Sequence, residues 1–152
     1  DNRRNLYIYL VWILLNHPWV ELTTLVIPGV NDDEGCLREI AQRIRRDIGP
    51  DTPWHVSRYF PHYQFTTPQT PLSTLQKAYT LGKEAGLRFV YVGNVPGHPS
   101  EDTFCPSCGE LLIDRRGFTI SDNNLADNHC PECGEAIPII GEISTSTSFG
   151  FF

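Results

Sequence analysis

Five cysteines punctuate the 152-residue sequence, and four of them fall in two matched motifs. Cys105-Pro-Ser-Cys108-Gly and Cys130-Pro-Glu-Cys133-Gly each place two thiols on one tight turn. Two thiolates at this spacing can reach a single metal ion, and the glycine after the second relieves the backbone where the turn closes. Two such turns supply four sulfurs in a tetrahedron, the donor set that suits Zn²⁺. With all four positions filled, the site is structural rather than catalytic. Two other chemistries use the same residues: iron held by four thiolates, and a pair of disulfides. The absence of an export signal favours metal ligands in a reducing compartment. His129, beside Cys130, could compete as a ligand, but the four sulfurs already complete the set. Cys36 falls on the apolar side of a helical pattern and reads as a small core residue. The sequence holds no Ser-His-Asp arrangement and no phosphate loop of the required spacing.

The elements that must position these residues follow from periodicity. Trp19–Asp33 is one strand–turn–helix unit. Val20, Leu22, Leu25, Val26 and Ile27 predict a strand over 19–27, apolar enough to be covered on both faces. Pro28-Gly29 ends it, and Asn31, three residues before Glu34, predicts a capping box for a helix over 32–48. Asp32, Asp33 and Glu34 complement the dipole of that helix. Its apolar stripe is Cys36, Leu37, Ile40, Ala41, Ile44 and Ile48, and Gly49-Pro50 stops it. A second strand, 53–60, alternates Trp54, Val56 and Arg58 with His55, Ser57 and Tyr59. His55 is expected to donate to a backbone carbonyl. Thr70 and Pro71 predict the cap and first turn of a helix over 71–85. Leu87–Val92 is a third strand. Between the cysteine motifs, Leu111–Ile113, Arg115 and Gly117–Ile120 can form a short hairpin. Asn2–Leu15 predicts a further helix, ended before Pro18.

Alternating helix and strand predicts an α/β fold with a parallel sheet. Three strands make an incomplete sheet with an open edge, so the chain reads as the later part of a larger domain. Residues 1–98 are assigned to that part, 99–140 to a four-cysteine module resembling a zinc ribbon, and 141–152 to a tail expected to be disordered. The net charge of -6 and pI near 5.2 argue against binding to nucleic-acid backbones. The apolar run Leu6–Leu15 is too short to span a bilayer and lacks a cleavage site, so a cytoplasmic protein is expected.

Longer blocks carry a resemblance. Trp19-Val-Glu-Leu-Thr-Thr-Leu-Val-Ile-Pro-Gly-Val-Asn-Asp, Gly49-Pro-Asp-Thr-Pro-Trp-His-Val-Ser-Arg, Tyr91-Val-Gly-Asn-Val-Pro-Gly-His, CPSCGELLIDRRGF and CPECG occur in this order. Over about 19–140 the chain resembles the C-terminal half of the AmmeMemoRadiSam-system radical SAM enzymes, relatives of the pyruvate formate-lyase activating enzymes. The resemblance implies a partial TIM-like barrel of six βα units, of which this chain holds the last three strands, with the N-terminal half of the barrel as its partner. It further implies a 4Fe-4S cluster and S-adenosylmethionine, reductively cleaved to a 5′-deoxyadenosyl radical that abstracts hydrogen from a substrate. The CxxxCxxC motif that holds the cluster is absent from this chain, which alone should not start radical chemistry. What remains is one wall of the cofactor site at the C-terminal ends of the strands. By the resemblance, Thr23 stands where the activating enzymes often place a cofactor-binding arginine, and Leu25 where a side chain packs on adenine. His62 stands near a position often held by histidine, and Asn94 could bond ribose or substrate. Two other readings use the same sequence: an α/β module whose ribbon docks a partner, and an electron carrier resembling rubredoxin, with iron in the four-cysteine site.

Overall fold

The computed structural model describes residues 19–145, Phe118 excepted. The helix expected over Asn2–Leu15 and the tail from 146 onward lie outside the described residues. The chain alternates β1 (Leu22–Val26), α1 (Glu34–Asp47), β2 (Trp54–Arg58), α2 (Leu72–Glu84) and β3 (Val90–Gly93). The three strands lie side by side in chain order, all parallel. A short 3-10 turn, Pro99–Glu101, leads into an antiparallel sheet of β4 (Thr103–Phe104), β5 (Leu111–Arg116) and β6 (Thr119–Asn123). The protein is therefore a mixed α/β chain with two small sheets.

Strand pleating sorts the first sheet into two unlike faces. Val26, Trp54, Val56, Val90 and Val92 are buried against Leu37, Ala41 and Ile44 of α1 and Leu75, Ala78 and Leu81 of α2, in one core. Both crossover helices thus cover the same face. Trp54 fills the centre of that core with no exposure, and its indole N–H donates to Thr24 Oγ1 at 3.0 Å. The opposite face carries Glu21, Thr23 and Leu25, all exposed, with half-buried His55, Ser57 and Tyr91. The register aligns Thr23 with His55 and Tyr91, and Leu25 with Ser57 and Gly93. The expectation that β1 is covered on both faces is corrected: Leu22 and Val26 are helix-side, whereas Leu25, on the other face, is 46% exposed.

The helix caps also differ from the sequence reading. Asp33, not Asn31, caps α1, its side chain accepting from Cys36 N at 2.9 Å. Asn31 folds back on β1 instead, accepting from Ile27 N at 2.7 Å and donating to Leu25 O at 3.1 Å. Pro71 takes the cap position of α2 without a side-chain bond. Thr70 is fully buried, and its hydroxyl donates to Val26 O at 2.6 Å while accepting from Tyr59 N at 3.0 Å. It therefore ties β1 to the end of β2, a long-range role that local spacing does not reveal. Cys36 is only half-buried, next to buried Leu37.

The second sheet has its own core of Cys105, Leu112, Ile113, Cys130 and Ile137, and Phe89 joins it from the residue before β3. Tyr91, Ile139 and Ile143 pack on its edge. Packing crosses positions 98 and 140: Phe89 joins the core of the second sheet, and Tyr91 and Ile143 pack against it. No helix among the described residues is long and apolar enough to cross a membrane.

Gly82 lets α2 approach the sheet. A Cβ there would stand 2.8 Å from Val90 Cγ2 and 3.0 Å from Trp54 Cε3. Gly82→Ala should lower stability by about 1–3 kcal/mol through overpacking, read as a lower denaturant midpoint. An unchanged midpoint would contradict this packing.

Candidate metal centre

The two cysteine turns are near copies of each other. In the first, Cys105 N donates to Glu110 O at 2.8 Å and Gly109 N to Cys105 O at 2.9 Å. In the second, Cys130 N donates to Glu135 O at 2.9 Å and Gly134 N to Cys130 O at 2.9 Å. Gly109 and Gly134 occupy positive φ of 82° and 75°, the left-handed region that glycine enters without steric cost. The sequence folds so because a side chain at either position would strain the turn that aims both sulfurs the same way.

The four sulfurs of Cys105, Cys108, Cys130 and Cys133 all lie within 4.8 Å of one another. Cys105 Sγ is 3.5 Å from Cys133 Sγ, and Cys108 Sγ is 3.6 Å from Cys130 Sγ. Metal–sulfur bonds of about 2.3 Å set tetrahedral edges of about 3.8 Å, so the spacing fits a four-coordinate ion. None of the five cysteines forms a disulfide. His129 turns away, its Nδ1 2.7 Å from Asp127 O, and stands outside the four-sulfur group. This group can hold a metal ion.

Electrostatics of the bare thiols point the same way. Burial opposes ionisation of Cys105, but the amides of Cys108 and Ser107, with the thiols of Cys133 and Cys108, outweigh it and bring its pKa down to about 7. Cys108 is the reverse. The Glu110 amide favours its thiolate, yet desolvation and the three neighbouring sulfurs push it up to about 12. Cys133 is also raised: the Glu135 amide and the Cys108 thiol favour its thiolate, and desolvation with Cys105 and Cys130 prevails. Four thiolates cannot coexist at this spacing without a cation between them.

Glu135 links this centre to the parallel sheet. Its carboxylate accepts from Ser107, inside the first cysteine turn, at 2.8 Å, and from Arg88 Nη2 at 2.6 Å. Arg88, just before β3, also donates to Asp51 Oδ1 at 2.6 Å. The centre is therefore anchored at the N-terminal ends of the strands.

Beside it, a cleft of about 680 Å³ opens between the ribbon and the helix-free face of the parallel sheet, lined by residues of both. On its sheet side, His55 Nε2 lies 3.0 Å from Glu21 Oε2, and the His55 ring stacks on Tyr91 at 5.0 Å. The expected bond from His55 to a backbone carbonyl is corrected to this carboxylate contact. Tyr91 OH is 3.0 Å from Thr103 Oγ1, and burial raises its pKa above the ordinary phenol range. Tyr91 and Arg115 lie in blocks quoted for the resemblance, but no spacing joins them to each other or to Thr103. Only the fold brings them together, so sequence reasoning missed them.

The four residues tied by resemblance to a cofactor wall are not gathered in one cavity. Asn94 lines the cleft, adopts a positive φ of 62°, and its side-chain amide donates to Arg58 O at 2.9 Å. Thr23 and Leu25 are exposed on the helix-free face of β1. His62 lies exposed in the loop after β2, where its carbonyl accepts from Phe65 N.

An uncharacterized protein of Methanocaldococcus jannaschii is 47% identical to this chain over 108 residues, 70% of the chain and 32% of that relative. The chain spans about a third of the length of the relative it matches. No family model matches the chain, and no solved structure matches it.

Two expectations follow. Cys130→Ser should abolish stoichiometric zinc binding, measured by metal analysis after dialysis. Retention of a full equivalent would contradict four-sulfur ligation. Glu135→Gln should keep its metal yet lower the thermal midpoint through loss of about 1 kcal/mol, because the ion pair with Arg88 is partly exposed and screened. An unchanged midpoint would show that this pair does not fasten the ribbon.

Proposed function

We propose that the chain is the C-terminal half of a radical S-adenosylmethionine barrel with an appended zinc ribbon. The observation that carries this reading is the one-sided sheet: three parallel strands in chain order, both crossover helices on one face, and Glu21, Thr23, His55 and Ser57 on the other. A doubly wound sheet places helices on both faces, whereas a barrel keeps them outside and turns the second face to its lumen. Leu25, Tyr63 and Phe65, on or after the C-terminal ends of β1 and β2, are 46%, 88% and 68% exposed. In a longer chain these side chains would be covered by the remaining barrel strands.

On this reading Thr23 and Leu25 face the lumen and contribute to a wall for S-adenosylmethionine, with Asn94 at the end of β3. His62 stands in the adjoining loop. Neither Cys36 nor the ribbon cysteines form CxxxCxxC, so the residues present do not make a site for the 4Fe-4S cluster. Its ligands would come from the other half of the barrel. The ribbon centre takes zinc, since four thiolates leave no open position, and it serves folding at the end of the strands away from the chemistry. The parent protein is an enzyme that works in the cytoplasm, where thiols stay reduced.

The longer Methanocaldococcus jannaschii relative tests this. Reconstituted anaerobically with iron and sulfide and then reduced, it should release 5′-deoxyadenosine from S-adenosylmethionine. A protein that assembles no cluster and forms no 5′-deoxyadenosine would overturn the reading.

A further inference from the structure

We propose that the cleft between the ribbon and the parallel sheet binds a small amphipathic monoanion, its apolar body against the isoleucines of the ribbon and its carboxylate or sulfonate on Arg115. The cleft includes Glu21, His55 and Asn94, which the barrel reading turns to its lumen, but the proposal is argued from the cleft's own residues and does not rest on that reading.

The cleft joins two chemistries. Its ribbon side is aliphatic, with Ile113 and Ile137 buried at the base and Ile140 left 63% exposed. An exposed isoleucine on a concave surface is apolar area that a ligand can remove from water. The volume of about 680 Å³ accommodates a molecule of a few tens of heavy atoms.

Arg115 supplies the polar anchor. Its side chain is half-buried, and its guanidinium is fixed from two sides: Nη1 bonds Thr103 Oγ1, and the group sits over the Tyr91 ring at 5.5 Å. Thr103 in turn is 3.0 Å from Tyr91 OH. The arginine fork is therefore held in place before any ligand arrives, so little side-chain entropy is lost on binding. Among the described residues no carboxylate pairs with this guanidinium; its side-chain partners, Thr103 Oγ1 and the Tyr91 hydroxyl, are neutral and leave part of its five-donor fork for an anion. A planar, partly desolvated cation with free donors recognises a carboxylate or sulfonate in a bidentate manner.

The acidic residues of the cleft set the limit of one charge. Glu21 already accepts from Trp19 Nε1 at 3.3 Å and faces His55, and Glu101 accepts from Gly117 N at 3.3 Å. Their charges leave room for one anionic group beside Arg115 and disfavour a polyanion such as a nucleotide phosphate.

The probe is 8-anilinonaphthalene-1-sulfonate, titrated into the zinc-loaded chain and followed by its fluorescence. It should saturate at one site per chain. Arg115→Gln should weaken it tenfold or more, while Arg116→Gln, at the exposed neighbour, should leave it unchanged. Arg115→Lys keeps the charge but not the fork and should recover part of the affinity, which separates lost charge from lost folding. Uncharged N-phenyl-1-naphthylamine should bind wild type and Arg115→Gln alike. Equal sulfonate affinity in wild type and Arg115→Gln would overturn the proposal. So would binding at many weak sites, or a loss in Arg115→Lys as large as in Arg115→Gln. Each of these readouts is independent of any iron–sulfur cluster, so failure here and failure of the barrel reading are distinguishable.

Discussion

Four sulfurs confined within 4.8 Å are the constraint on which the C-terminal part of this protein depends. Among the described residues the ribbon contributes Cys105, Leu112, Ile113, Cys130 and Ile137 to its buried core, and two of these five are metal-site cysteines. So small a core cannot offset the chain entropy of some forty residues by burial alone. It needs a cross-link, and a metal ion joining two turns distant in sequence would provide one. It also needs a neighbour. Phe89 and Tyr91 extend its core from the parallel sheet, and the chain from Ser107 through Glu135 to Arg88 and Asp51 fastens it there.

The parallel sheet shows a different economy. One face is sealed by both helices around Trp54 and brought close by Gly82, whereas the other is polar and open. That asymmetry is the observation behind the proposed barrel wall. The ribbon then covers the β3 side of the open face and leaves β1 uncovered. The cleft exists because two units with separate cores meet along one strand: its apolar wall comes from the ribbon and its Glu21–His55 contact from the sheet. The anchor of the metal centre lies at the N-terminal ends of the strands, the end associated with stability rather than catalysis in barrels.

Much of this was legible in the residues. The alternation of apolar positions at strand and helix periods located β1 to β3 and both helices to within a few residues, and the paired CxxC motifs named all four sulfurs. What escaped was set by contacts between distant segments. Asn31 looked like a cap because of its distance from Glu34, yet Asp33 wins that role and Asn31 bonds back to β1. Thr70 looked like a cap because Pro71 follows, but its hydroxyl is used across forty-four positions to hold Val26. The pairing of Arg115 with Tyr91 gave no signal, since neither spacing nor composition foretells that an arginine of one sheet will lie over a tyrosine of another. Local patterns report local bonds, and the Arg115–Thr103–Tyr91 and Glu21–His55 contacts of the cleft join distant segments.

The most direct test of the account is X-ray absorption at the zinc edge of the purified, metal-loaded chain. The account predicts a first shell of four sulfur scatterers at about 2.3 Å with no nitrogen or oxygen neighbour. A first shell containing lighter ligands, or fewer than four sulfurs, would contradict it.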